Sequence, residues 1–243
     1  MAMATLTERE GYVIRAANFR DSDQMISALT SDGLISFLAR RVNKPTSKNG
    51  PACRLLAHSK FSLSEGKAGG FSLRESLCLA PAPEKEDLLT MASLTFIAEL
   101  SSKTLQGEGL GKEYPWLARA VEAIREGFDP LTSVLVLFAH YLALEGFGLN
   151  VDECVYCGAK TGIVGLSYQD GGFVCRKCLN ESATEANSRK LKIIRYCFRC
   201  GLSDFSRVTF QKEECIGLIS ELCQYLNDLT GVRLKSLSII QKL

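Results

Sequence analysis

The stretch CVYCGAKTGIVGLSYQDGGFVCRKC, Cys154 to Cys178, holds two Cys-x-x-Cys pairs with 17 residues between Cys157 and Cys175. Such pairs can be redox dithiols, disulfide staples or a metal clip, and each choice implies a different fold around them. The spacing is that of a tetrahedral zinc site, C-x2-C-x15–20-C-x2-C. Gly158 follows the first pair, where a positive φ lets backbone amides turn toward sulfur. The intervening residues read as a hairpin turning at Asp170-Gly171-Gly172, which brings the two knuckles together. A thioredoxin-like dithiol would instead sit at a helix N-terminus in a βαβ setting. The expected ligands of one structural Zn²⁺ are therefore Cys154, Cys157, Cys175 and Cys178.

Disulfide staples fit the rest of the chain poorly. MAMATLTERE has no apolar core of a secretory signal, which points to the cytoplasm, where ten cysteines remain thiols. The most apolar stretch, SVLVLFAHYLALEGFGL, carries His140 and Glu145 and is too short for a membrane span, so no membrane partner is expected.

Upstream of the clip the period is helical. DPLTSVLVLFAHYLALEGFG is apolar nearly all round, with Pro130 in its first turn, and reads as the central core helix; His140 inside it reads as a core histidine with a hydrogen-bonding partner. PWLARAVEAIREGF and a segment with Leu88, Met91, Ala92, Thr95, Phe96 and Glu99 at helical spacing precede it. Before APAPEK the period changes to that of strands. GYVIRAANF, QMISALTS, GLISFLARRV, ACRLLAHSKFSL and GGFSLRESLCLA are separated by RDSD, SDG, NKPTSKNGP and SEGKAGG. Five short antiparallel strands in this space have the dimensions of an OB-fold barrel, among other small barrels.

Downstream, SATEANSRKLKIIRYCFRCG has Ser182 and Glu185 in a capping-box pattern, so a helix is expected from there. KEECIGLISELCQYLNDLTG and RLKSLSIIQKL read as two more helices. Cys197 and Cys200 share a helix face and read as core, the alternatives being a ligand role or a sensor thiol. The expected class is α+β: an N-terminal five-stranded OB-fold β-barrel (1–81), then an α-helical domain (82–150 and 181–243) carrying an inserted four-cysteine zinc module (151–180).

The net charge of +2 conceals a local excess. Between residues 40 and 60 stand Arg40, Arg41, Lys44, Lys48, Arg54 and Lys60, with no acidic residue. Such a run is either a solvated face or a phosphate-binding surface. The residues expected to contact phosphates are Arg15, Arg40, Arg41, Lys44, Lys48 and Arg54, around a mobile basic loop on the barrel; Arg40 and Arg41, as strand neighbours, would face opposite ways, so at most one faces the binding groove. Phe19 and Phe37 could stack bases but fit core packing better. No Gly-rich phosphate loop, His-rich metal motif or nucleophile constellation is present, which argues against an enzyme.

Three stretches resemble the RecO family of bacterial recombination mediators. GYVIRAANFRDSDQMISALTSDGLISFLARRVNKPTSK is similar to its opening, GFGLNVDECVYCGAKTG with DGGFVCRKC to its helix end and knuckles, and RLKSLSII to its terminal helix. Arg20 and the CFRC pair depart from that pattern. The resemblance implies a non-catalytic protein that binds single- and double-stranded DNA, anneals complementary strands and helps load RecA. It implies RecR and the acidic C-terminal tail of single-strand-binding protein (SSB) as partners, and a place at the nucleoid. The alternatives are a zinc-ribbon/OB adapter in transcription or translation, or a Cys-x-x-Cys thiol oxidoreductase.

Overall fold

The structure is a computed structural model that describes residues 6–66, 69–83, 87–105 and 111–243. Parts of three readings lie outside them: residues 1–5 of the N-terminus, 67–68 of SEGKAGG and 84–85 of APAPEK. Strands β1 (Leu6–Asn18), β2 (Gln24–Thr30), β3 (Gly33–Ala39), β4 (His58–Glu65) and β5 (Phe71–Ala80) close into a barrel in the order β1-β2-β3-β5-β4. Strand β1 pairs with both β2 and β4, while β3 meets β5 in parallel only at Phe37↔Phe71 and Leu38↔Ser72. This is the OB-fold expected from the strand pattern. Alternation along the strands fills its interior with Val13, Ile26, Ala28, Phe37, Phe61 and Leu63, the rings of Phe37 and Phe61 lying 4.9 Å apart. Gly11 is required where β1 crosses β2, because a Cβ there would stand 2.3 Å from the Leu29 carbonyl oxygen.

Two strands are shorter than their apolar runs suggested. Strand β3 stops at Ala39, so Arg40 and Arg41 are not strand neighbours; Arg41 has φ +56° and both side chains are exposed. The reason lies 18 residues away, where Asp23 Oδ1 accepts the Arg41 amide at 2.8 Å and turns the chain. Residues Pro51–Cys53 form a 3-10 turn, and β4 begins only at His58.

The helical domain is α1 (Leu88–Thr104), α2 (Tyr114–Arg125), α3 (Pro130–Leu144), α4 (Ser188–Arg199), α5 (Lys212–Thr230) and α6 (Leu237–Ile240). Helix α3 is buried continuously from Leu131 to Leu142 and packs against α1, α2, α4 and α5. Asp129 caps it, accepting the Thr132 amide at 2.7 Å. His140 is in the core as expected: its ring stacks on Trp116 at 3.4 Å, and its Nε2 lies 3.6 Å from Cys200 Sγ. Helix α4 does not begin at Ser182. Asn187 is its cap, accepting the Lys190 amide at 2.8 Å, and Thr184–Glu185 are drawn off as a short strand.

Barrel and bundle share one core. Tyr12, Ile14, Leu29 and Leu56 belong to the same apolar cluster as Phe96 and Phe138. At its rim Tyr12 stacks on His58 at 4.6 Å, and Tyr114 Oη meets His58 Nε2 at 3.3 Å. Among the described residues no helix is long and apolar enough to cross a membrane.

The C-terminal helix is held by one carboxylate. Glu99 accepts the amides of Lys235 (3.0 Å) and Ser236 (2.7 Å) and the Ser236 hydroxyl (2.6 Å), and it pairs with Lys103 at 2.7 Å. Burial raises its pKa, but these bonds outweigh burial and lower it from 4.5 to about 2. A depressed carboxyl stabilises the fold above its ordinary value and loses that contribution as pH falls toward its folded one. Acid unfolding should therefore steepen as pH drops from about 4.5 to about 2. Glu99→Gln should cost about 1–3 kcal/mol at neutral pH and flatten that slope, measured by denaturant melts across pH.

Candidate metal centre and nucleic-acid interface

Strands β6 (Ile163–Ser167) and β7 (Gly172–Cys175) form the expected hairpin, and β8 (Thr184–Glu185) pairs with the other edge of β6. The turn is tied by Asp170 Oδ2, which accepts from the Ser167 hydroxyl at 2.7 Å and the Tyr156 hydroxyl at 2.5 Å. Gly171 holds a positive φ there. The first knuckle is stitched to β7 through backbone: the Val155 amide donates to Phe173 O, and the Phe173 amide to Asn150 O, each at 2.9 Å. Gly172 allows that approach, since a Cβ would stand 2.4 Å from Asn150 O.

The four thiols of Cys154, Cys157, Cys175 and Cys178 converge as the spacing requires, all Sγ atoms lying within 4.8 Å of one another. Cys157 Sγ and Cys175 Sγ are 3.7 Å apart. A tetrahedron of sulfurs at ~2.3 Å from a central zinc has edges of about 3.8 Å, so the donor set and its size fit a thiophilic ion. Burial raises the Cys154 thiol, but amides of Cys175, Tyr156 and Cys157 donating to it bring it down to about 6. Those donors favour the thiolate form of that sulfur. Cys154 and Cys175 are buried, and Cys157 is exposed.

Cys197 and Cys200 do not join this cluster. Both are buried against the α3 core, and burial raises both thiols, Cys200 to about 11. Cys197 packs on the buried face of α4, whereas Cys200 lies just past the helix end as its C-cap and meets His140 Nε2 at 3.6 Å, so the two do not share a helix face.

All six predicted phosphate contacts are exposed, but they are not all together. Arg15 stands on the outer sheet face, opposite Ser27, which in turn faces Ser36 across β2 and β3. Arg40 and Arg41 flank the turn after β3. Lys44 and Arg54 line one cleft of about 410 Å³, and Lys48 lies outside its lining. The loop after β3 is braced by hydrogen bonds along its length. Successive backbone bonds join Lys44 to Arg41, Ser47 to Lys44 and Gly50 to Ser47, and the Asn43 amide donates to Ser22 O at 3.2 Å. Asn18 Oδ1 accepts the side-chain amides of both Asn43 (3.1 Å) and Gln24 (3.3 Å). The sequence reading missed these anchors, whose signal was the polar cluster Asn18–Asp23. Phe37 is fully buried, whereas Phe19 is half exposed with the Arg20 guanidinium 5.3 Å above its ring.

A second basic tract was also overlooked, on α4. There Arg189 pairs with Glu214, while Arg195 and Arg199 both pair with Asp152. Among the described residues no carboxylate lies within ion-pair distance of Arg40, Arg41, Lys44 or Lys48. Lys190 pairs with Glu221 as well, so most of the α4 cations are offset, with Lys192 outside any ion pair among the described residues, whereas none of the four loop cations is offset.

The chain matches the family models "Recombination protein O N terminal" over residues 3–77 and "Recombination protein O C terminal" over residues 85–238. It is 22% identical over 241 residues to the DNA repair protein RecO of Halalkalibacterium halodurans, covering 96% of this chain and 94% of that one. The protein of the same name from Bacillus subtilis is 23% identical over 238 residues, covering 95% and 92%. That from Listeria monocytogenes is 24% identical over 238 residues, covering 96% and 93%.

If the four clustered thiols hold an ion, Cys175→Ser should remove it and lower the melting temperature by roughly 5–10 °C. The double variant Cys197→Ala/Cys200→Ala should keep one ion per chain, counted by elemental analysis of reduced protein.

Proposed function

The chain belongs to the RecO family of DNA repair proteins, and from that premise we propose that it works without catalysis, binding single- and double-stranded DNA and annealing complementary strands. In this reading residues 1–81 are the nucleic-acid-binding unit, 82–150 with 181–243 the helical scaffold, and 151–180 the zinc-binding insert. The observation that carries it is the set of cations without an ion pair among the described residues, Arg40, Arg41, Lys44 and Lys48, on a hydrogen-bonded loop of an OB-fold barrel. Two strands repel each other through their phosphates, so annealing needs cations that are not already neutralised within the protein. Arg15 and Arg54 extend that surface, from the sheet face and from the cleft wall. Phosphate contacts carry no base code, so binding is largely independent of sequence.

The metal is zinc in this proposal, held by Cys154, Cys157, Cys175 and Cys178. A shell of four thiolates leaves no open position, so the ion cross-links two knuckles and activates nothing. The hairpin setting, with no helix N-terminus behind either pair, favours this over a dithiol oxidoreductase. The partners are RecR and the acidic tail of SSB, with RecA loading as the outcome.

Strand annealing and DNA affinity should both fall in the Lys44→Ala/Lys48→Ala double variant. The slope of log affinity against log salt should drop by up to about 2, the number of phosphate contacts removed. Equal annealing by wild type and variant, or a wild-type affinity indifferent to salt, would remove the loop from the mechanism.

A further inference from the structure

The cleft beneath the basic loop has a composition that phosphate binding alone does not call for. Its volume of about 410 Å³ lies within the range of small-ligand sites. Val42, Pro45, Pro51 and Leu55 give it apolar walls, whereas a surface that only tracks a phosphate backbone needs no such walls. Lys44 and Arg54 both line the cleft, so cations accompany the apolar surface. Gln24 and Asn43 line it as well, their amide groups donating to Asn18 Oδ1; among the described residues their own side-chain carbonyls have no donor. The site is preformed, because the Asp23, Ser22 and Asn18 contacts hold the loop off the ends of β1 and β2.

Apolar walls, two hydrogen-bond acceptors and adjacent cations together match one nucleotide: a base between the walls and its phosphate on Lys44 and Arg54. We propose that this cleft takes a single unstacked base of a DNA strand. The proposal rests on the DNA reading above and adds a selection to it. A base in a duplex must break its stacking and pairing to enter, at a few kcal/mol, whereas a base in a single strand is nearly free to do so. The cleft therefore favours single strands, while the surrounding cations serve both forms. One base anchored per protein leaves the neighbouring base edges open to a complementary strand.

Binding of a short oligothymidylate and of an abasic strand with the same number of phosphates tests this, each followed by fluorescence anisotropy at fixed salt. Wild type should bind the oligothymidylate at least about fivefold more tightly, the effect of burying about 40 Å² of base surface against aliphatic walls. Ser47→Leu, which narrows the cleft with an aliphatic side chain and leaves the charge unchanged, should erase that preference and leave abasic-strand and duplex affinity unchanged. Circular dichroism checks that this variant is folded, and Asn43→Ala should reduce the preference in the same direction. Equal wild-type affinity for the two strands, or a preference that survives Ser47→Leu, would overturn the base cleft while leaving the phosphate surface standing. If Lys44→Ala/Lys48→Ala leaves abasic-strand affinity unchanged, the phosphate reading itself fails, and this one with it.

Discussion

A helix with no solvent face has to be covered on every side, and α3 is such a helix. Its unbroken apolar run obliges α1, α2, α4 and α5 to surround it, and each of them turns its own apolar stripe inward to do so. The barrel contributes too, since Tyr12, Ile14, Leu29 and Leu56 enter the same cluster. The two halves of the chain are therefore parts of one packed body rather than beads on a linker. Leu166 and Phe173 of the four-cysteine hairpin enter that cluster as well, so the barrel and the cysteine module are both packed onto the same bundle.

The metal module and the basic loop solve opposite electrostatic problems. In the module, several thiols must approach closely, which is favourable only if amides and a cation share the charge. Backbone donors around Cys154 begin that work. In the loop, cations are held near one another with no internal carboxylate opposite Arg40, Arg41, Lys44 or Lys48 among the described residues. The cost is mutual repulsion, tolerated because the side chains are exposed to water and the backbone beneath them is pinned by Asp23, Ser22 and Asn18. On α4 the Arg and Lys side chains are partly offset by Glu214, Glu221 and Asp152. Surface ion pairs of that kind contribute little stability, but they lower the attraction such a face has for a polyanion.

Much of this was legible in the residues. Strand alternation and turn residues revealed the barrel, the period change after APAPEK revealed the bundle, and the Cys-x-x-Cys spacing revealed the converging thiols. What was not legible came from contacts distant in sequence. The run LARRV continues a strand pattern, and only the reach of Asp23 to the Arg41 amide ends it at Ala39. Ser182 and Glu185 look like a capping box, yet the open edge of β6 competes for Thr184 and Glu185; Gly165 lets them approach, since a Cβ there would lie 3.1 Å from Thr184 O. Charge counts could not separate α4 from the barrel loop, because pairing is a property of three-dimensional neighbours.

The stacking of Trp116 on His140 has an optical consequence. Trp116 is the only tryptophan in the chain, so indole emission comes from one place, the α2–α3 seam beside Cys200. Burial lowers the imidazole's pKa to about 4, so near neutral pH the ring under the indole is uncharged and the emission is insensitive to small pH changes. The chain thus carries a built-in lamp in its bundle and none in its barrel. Light from it reports on the packing around α3, the helix on which the bundle is assembled.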